Sequence, residues 1–287
     1  MALIGWDCQI APGADTDLAL RQMVAACLRQ IVPNAQAIAA GVANPEHLHQ
    51  LRIGLRGLRS ALHVFSDWSS AVAPDWQPRL GEVFIQLGRT RDRDMLQASV
   101  LPDLRAVHAP LAELPPAPPR DLLARDVLNH PDCTQLFRDL IAFADGSLLP
   151  SRTSPKQSRK RLRQAAGARF AHLHRQLLRD AKAYPQLNEV QRHRVRKRLK
   201  RLRYGVELLA SVFPKGAVKP YLAHLQPAQA ILGQYNDLVV AEQVFKQQLP
   251  ADPRAWFALG WIAARQAALR QDASRALIRL ARAPTFW

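Results

Sequence analysis

The sequence predicts an all-α protein made of two pseudo-symmetric, duplicated four-helix bundles with a basic groove or pore between them. Three observations predict it. Strand signals are nearly absent, while apolar residues recur at i, i+3, i+4 and i+7 and prolines punctuate the pattern. One unusual segment occurs twice: His49-Gln50-Leu51-Arg52-Ile53-Gly54-Leu55-Arg56-Gly57-Leu58-Arg59 is followed 144 residues later by His193-Arg194-Val195-Arg196-Lys197-Arg198-Leu199-Lys200-Arg201-Leu202-Arg203. A second landmark keeps nearly the same offset, Leu87-Gly88-Arg89-Thr90-Arg91-Asp92 being answered by Leu232-Gly233-Gln234-Tyr235-Asn236-Asp237. Two landmarks in step imply a duplication, with halves over 1–150 and 151–287 forming one compact domain overall.

In the first half, the periodicity predicts helices over 15–41, 45–69, 76–99, 103–112, 120–129 and 132–145. Asn44-Pro45-Glu46 starts the second of these with a side-chain cap, a first-turn proline and an acid at the positive helix end. The Leu-Gly pairs read as turns. Pro115-Pro116-Ala117-Pro118-Pro119 is a stiff connection, and the Gly-, Ser- and Pro-rich stretch 146–155 links the halves. The second half reads as helices over 156–184, 186–213, 217–233, 236–249 and 253–282, with Phe213-Pro214 stopping the second of them.

Composition narrows the function. Forty Lys and Arg face 23 Asp and Glu, giving a net charge of +17. Such an excess repels itself and calls for an anionic partner. The charge is also clustered, with five basic residues in 156–163 and eight in 192–203. The three cysteines are widely spaced and lack partners at metal-binding spacing, which points to a reducing, cytoplasmic setting. No secretory leader is expected, and the longest apolar run, 255–264, is about half a membrane span. No membrane partner is expected.

The repeated helix carries the chemistry. At about 100° per residue, His49, Arg52, Arg56 and Arg59 fall at roughly 0°, 300°, 340° and 280°, as do His193, Arg196, Lys200 and Arg203. The apolar sets Leu51, Leu55, Leu58, Leu62, Phe65 and Val195, Leu199, Leu202, Val206, Leu209 lie between roughly 160° and 240°. Each helix therefore places a cationic stripe beside its core stripe, where it can line a groove. Arginine grips phosphate oxygens with a planar fork, and lysine adds a mobile point charge. A histidine close to several phosphates is driven toward imidazolium and donates from both nitrogens. Lys197 sits within the second stripe, and Tyr204 follows it, either as a hydroxyl at the groove wall or as a packed core residue. Arg159, Lys160, Arg163 and Arg169, on the preceding helix, are candidates for extending the cationic surface.

Asp92 and Asp237 follow the Leu-Gly turns and read as helix caps or internal ion pairs, with orientation of stripe arginines as the alternative. Arg91-Asp92-Arg93-Asp94 suits an ion-pair cluster better than a Mg²⁺ site. The pairs His47/His49 and His172/His174 point to different helix faces, so no metal site is expected. The sequence contains no Walker loop, nucleophile elbow, HExxH or CxxC motif. No catalytic constellation and no cofactor are expected.

These paired landmarks resemble the CHAD family, the conserved-histidine α-helical domain. Its first signature, His-x-x-Arg-x-x-x-Arg-Arg-Leu-Arg, is similar to His49, Arg52, Arg56, Leu58 and Arg59. Its second, His-x-x-Arg-Lys-x-x-Lys-x-Leu-Arg-Tyr, is similar to His193, Arg196, Lys197, Lys200, Leu202, Arg203 and Tyr204. The Leu-Gly turns and Gly260-Trp261-Ile262-Ala263-Ala264-Arg265 also look like the family, and Gly57 departs from it by replacing the second Arg. The resemblance implies inorganic polyphosphate binding without catalysis, in a basic groove between the halves, and association with polyphosphate granules. Some members of the family it resembles carry a fused CYTH-type triphosphatase domain, for which this chain has no Glu-x-Glu-x-Lys signature. Non-specific nucleic-acid binding is the alternative that net charge supports equally. Against it, the stripes lack the interleaved aromatics used to stack single strands.

Overall fold

The computed structural model describes residues 7–42, 44–88, 93, 95–114, 120–146 and 154–287. Among these residues there is no strand, and ten α-helices form the fold. The first half supplies α1 (Thr16–Ala39), α2 (Pro45–Phe65), α3 (Trp76–Gln86), α4 (Leu101–Ala106), α5 (Arg120–Asn129) and α6 (Pro131–Asp145). The second supplies four long helices, α7 (Pro155–Ala183), α8 (Glu189–Leu208), α9 (Val218–Gln248) and α10 (Ala255–Ala281).

The helices that carry the stripes begin and end alike. Asn44 caps α2 by accepting from the amides of Glu46 and His47, and His47 Nδ1 accepts from the Asn44 amide in return. Asn188 caps α8 by the same device, with Gln191 as its reciprocal partner. Each helix then tightens into one 3₁₀ turn, Ser66–Trp68 after α2 and Ala210–Val212 after α8. Every residue of the expected apolar sets is buried, none exposing more than 1% of its surface. α1 pairs with α2 as a hairpin, α9 pairs with α10, and α2 packs directly on α8.

The main hydrophobic core is continuous across residue 150. It joins Leu20, Met23, Leu58 and Leu136 of the first half to Leu162, Phe170, Leu199 and Leu277 of the second. At its centre Phe170 has its ring centroid 6.3 Å from Phe65, 6.0 Å from Phe213 and 5.7 Å from Trp287. A smaller core joins residues 96–104 to the C-terminal part of α9 and the N-terminal part of α10, through Leu101, Leu104, Phe245 and Ile262. The first half therefore lends a segment to the second.

Three expectations are corrected. The predicted break between 233 and 236 is absent, because α9 runs unbroken over 31 residues. Gly233 weakens a helix by about 1 kcal/mol, but Leu225, Ala228, Leu232, Tyr235 and Leu238 keep one buried register through it. Packing against α10 thus overrides the local signal. Asp237 consequently lies mid-helix, which removes the capping role expected for it. The helix expected over 103–112 is instead a π-helical turn at Leu96–Val100 followed by the short α4. It stops because His108 takes a left-handed φ of 53°, a conformation unfavourable to helix continuation. Leu87 ends α3 at Gln86, short of the expected 99. Asp92, its arginine-rich neighbours 89–91, the proline connection 115–119 and most of the linker at 147–153 lie outside the described residues.

Candidate functional site

α2 and α8 pack on each other, and Arg52 and Arg56 of the first stripe act on Lys200 of the second across the helix pair. Lys200 is the centre of this arrangement. Its ammonium is held well below the ordinary lysine value, first by burial, then by Arg196 of its own helix and by Arg56 and Arg52 of α2. Asp237 of α9 opposes the shift. Arg56 directs its Nε to the Arg52 carbonyl at 3.2 Å. Charge from both halves is thereby concentrated at one place, with one nearby carboxylate opposing it. A cluster in which cations depress one another's proton affinity is relieved by an anion.

His193 lies at one end of this cluster. Burial by neighbouring groups, followed by the charges of Lys197 and Arg196, lowers its proton affinity, and a hydrogen bond with Asn236 works in the opposite direction. The Leu232–Asp237 copy of the Leu-Gly landmark thus forms a wall of the site rather than a turn. Asn236 meets His193, Asp237 acts on Lys200, and the Tyr235 hydroxyl accepts from Arg192 at 3.3 Å. A shallow hollow is lined here by Arg192, His193, Arg196, Tyr235 and Asn236. His49 and Arg196 are both engaged in interactions within the structure.

The first half serves the site differently. Arg52 exposes only 8% of its surface. Its guanidinium donates to the Phe84 carbonyl at 2.9 Å and lies 4.3 Å from the centroid of the Phe84 ring. Gly88 makes room for it, since a Cβ there would sit 3.1 Å from Arg52 Nη1. Gly88→Ala is therefore expected to displace this guanidinium and weaken anion binding modestly, about twofold to tenfold, which a titration of the variant checks. Arg59 lies 5.3 Å from the centroid of the same ring, and burial lowers its proton affinity.

Several expected residues are placed elsewhere. Arg203 is committed to Glu207 and Gln229, both at 2.7 Å. Tyr204 is buried, at 6% exposure, which favours the packed alternative over the groove wall. Arg159 and Arg163 donate to the carbonyls of Ser211 and Val212 beyond α8, and Arg169 pairs with Asp67. These three arginines tie α7 to its neighbours. Lys160 is exposed on the first turns of α7. His174 is buried against the Tyr221 hydroxyl at 2.8 Å, and His47 is spent on its helix cap.

Sequence reasoning passed over His63 and Arg201. Each lies one helical turn beyond a recognised position, Arg59 and Lys197, and that spacing was the available signal. The thiols of Cys8, Cys27 and Cys133 are all buried and free, and burial raises Cys8 to about 12 and Cys133 to about 11. Burial disfavours their thiolate forms, and they lie outside the site. No helix among the described residues is long and apolar enough to cross a membrane.

Comparison with known proteins follows the same lines. The family model described as CHAD domain matches residues 22–246. A crystal structure of the CHAD domain from the plant Ricinus communis is similar to this chain at 27% identity and a TM-score of 0.73, covering 100% of both chains. No curated protein matches.

Proposed function

From the premise that the chain belongs to the CHAD family, whose role is polyphosphate-related, we propose that it binds inorganic polyphosphate without cleaving it. The observation that carries this reading is the convergence of Arg52 and Arg56 from α2 with Arg196 and Lys200 from α8. A threadlike anion can touch both helices at once and release counterions as it does so. His49 and His193 add donors at the N-terminal ends of the two stripes. Binding of this kind would place the protein at cytoplasmic polyphosphate granules.

The test is a titration with polyphosphates of defined length, with duplex DNA and RNA as competitors. Long polyphosphate is expected to bind far more tightly than orthophosphate, to lose affinity with salt, and to resist displacement at equal phosphate concentration. No phosphate is expected to be released in the presence of Mg²⁺. Equal affinity for orthophosphate overturns the reading, and efficient displacement by nucleic acid replaces the ligand.

Binding should also take up protons. In the free protein His193 is held below 6.5 by burial and then by Lys197 and Arg196. A bound phosphate chain counters those charges and raises His193. Between the free and bound values the complex holds more protons, so affinity rises as pH falls through that window. Its lower edge lies below 6.5. The ligand-free protein shows the opposite trend. Its unfolded chain binds more protons in that range, so its stability falls as the pH falls, and polyphosphate restores it. Calorimetry between about pH 8 and pH 5 checks both signs, and an affinity that declines on acidification contradicts them.

A further inference from the structure

The cations at the α2–α8 interface extend beyond the Lys200 cluster. On α2, His63 lies one turn past Arg59; on α8, Arg201 lies one turn past Lys197. The four face one another across the helix pair, since Arg59 acts electrostatically on both Lys197 and Arg201, and Arg201 acts on His63. His63 and Lys197 are exposed, while Arg59 and Arg201 are half-buried.

Their surroundings make the cluster unusual. Nearby arginines have acidic partners: Arg198 pairs with Asp180, Arg203 with Glu207 and Arg169 with Asp67. None of Arg59, His63, Lys197 and Arg201 has an ion-pair partner among the described residues. The Arg59 Nε is buried without a hydrogen-bond acceptor. Asp67, Asp180 and Glu207 are each paired with another arginine, Arg169, Arg198 and Arg203 respectively. Four cations without an ion-pair partner among the described residues, on two packed helices and next to Lys200 and Arg56, form a site for the continuation of an anion rather than a solvated face.

We propose that Arg59, His63, Lys197 and Arg201 form a second phosphate station, which takes the next phosphates of a polyphosphate chain already held at the Lys200 station. This rests on the functional reading above and extends it. On α2 this station lies about 10 Å beyond Arg52 and Arg56. On α8, Lys197 and Arg201 follow Arg196 and Lys200 by one residue each, about 100° around the helix. A short oligophosphate therefore fills the first station while a long chain fills both. Arg201 occupies the position equivalent to Gly57, 144 residues apart. The second helix therefore brings the arginine that the first lacks. His63 makes this station sensitive to acid. The charged groups facing it are Arg59 on its own helix and Arg201 on α8, with Asp67 one turn on held by Arg169 of α7.

The experiment compares the parent with His63→Ala/Arg201→Gln, using tripolyphosphate and long-chain polyphosphate as probes. Long-chain affinity is expected to fall about tenfold or more, with tripolyphosphate affinity nearly unchanged. Arg201→Lys with His63 retained should recover most of the loss, and melting temperatures should stay close to the parent's. A parent that binds polyphosphate while the double variant matches it at every length overturns the second station alone. Equal weakening for both lengths also overturns it, because the residues would then be acting on the first station. A parent that binds neither probe overturns the functional reading together with this site.

Discussion

A protein carrying Arg56→Gln and Lys200→Met is expected to lose roughly 100-fold or more in polyphosphate affinity, while its ligand-free form melts at a higher temperature than the parent. Both effects have one cause. Lys200 is desolvated and sits among Arg196, Arg56 and Arg52, with Asp237 offering partial relief. Removing two of these charges removes the contacts that an anion would make and the repulsion that the empty site tolerates. Removing a desolvated cation that several like charges crowd relieves both repulsion and a desolvation penalty, here on the order of 1 kcal/mol, while Arg196 and Arg52 remain beside Asp237. A site built for binding at the expense of stability gives this opposed pair of changes. Thermal melts and titrations of the same preparation check it. Loss of both stability and affinity would show instead that Lys200 holds the helices together. Arg52 is unsuitable for such a test, because its guanidinium is buried against the Phe84 carbonyl and charge reversal there would disturb the fold.

Phe170→Ala is expected to cause the largest loss of stability, about 3–5 kcal/mol. The side chain is fully buried and lies within 6.3 Å, centroid to centroid, of Phe65, Phe213, Phe286 and Trp287. It also fills the space beside Gly205 of α8, where a Cβ would sit 3.2 Å from Phe170 Cε1 and 3.5 Å from the Phe65 ring. The phenyl group therefore clamps the end of α2 against α8. Its removal should lower the melting temperature by roughly 10 °C and weaken polyphosphate binding, although no cation is touched. A variant that melts like the parent would show that the cavity collapses without consequence.

What was legible in the sequence follows from how locally each feature is encoded. The apolar and basic stripes of α2 and α8 depend only on helical periodicity, so all ten expected core positions proved buried. The Asn44 cap was readable for the same reason. Its counterpart at Asn188 follows the same pattern 144 residues on. Non-local facts were harder. Gly233 resembles a helix end when read alone, but the burial of residues on both sides carries α9 through it. Nothing local shows that 96–104 would pack on α9 and α10, or that Phe286 and Trp287 would close over Phe170. Charge type alone does not separate arginines that grip the protein from those that face a ligand. Arg159, Arg163 and Arg203 found carbonyl, carboxylate and amide partners through tertiary contact. Arg201, with a similar sequence context, found none among the described residues.

The most direct test of the account follows the imidazole resonances of His49 on α2 and His193 on α8 while long-chain polyphosphate is added. One anion held by both helices predicts that the two histidines respond together, with a common midpoint and saturation at one chain per protein. Separate midpoints, or a response confined to one helix, would contradict it.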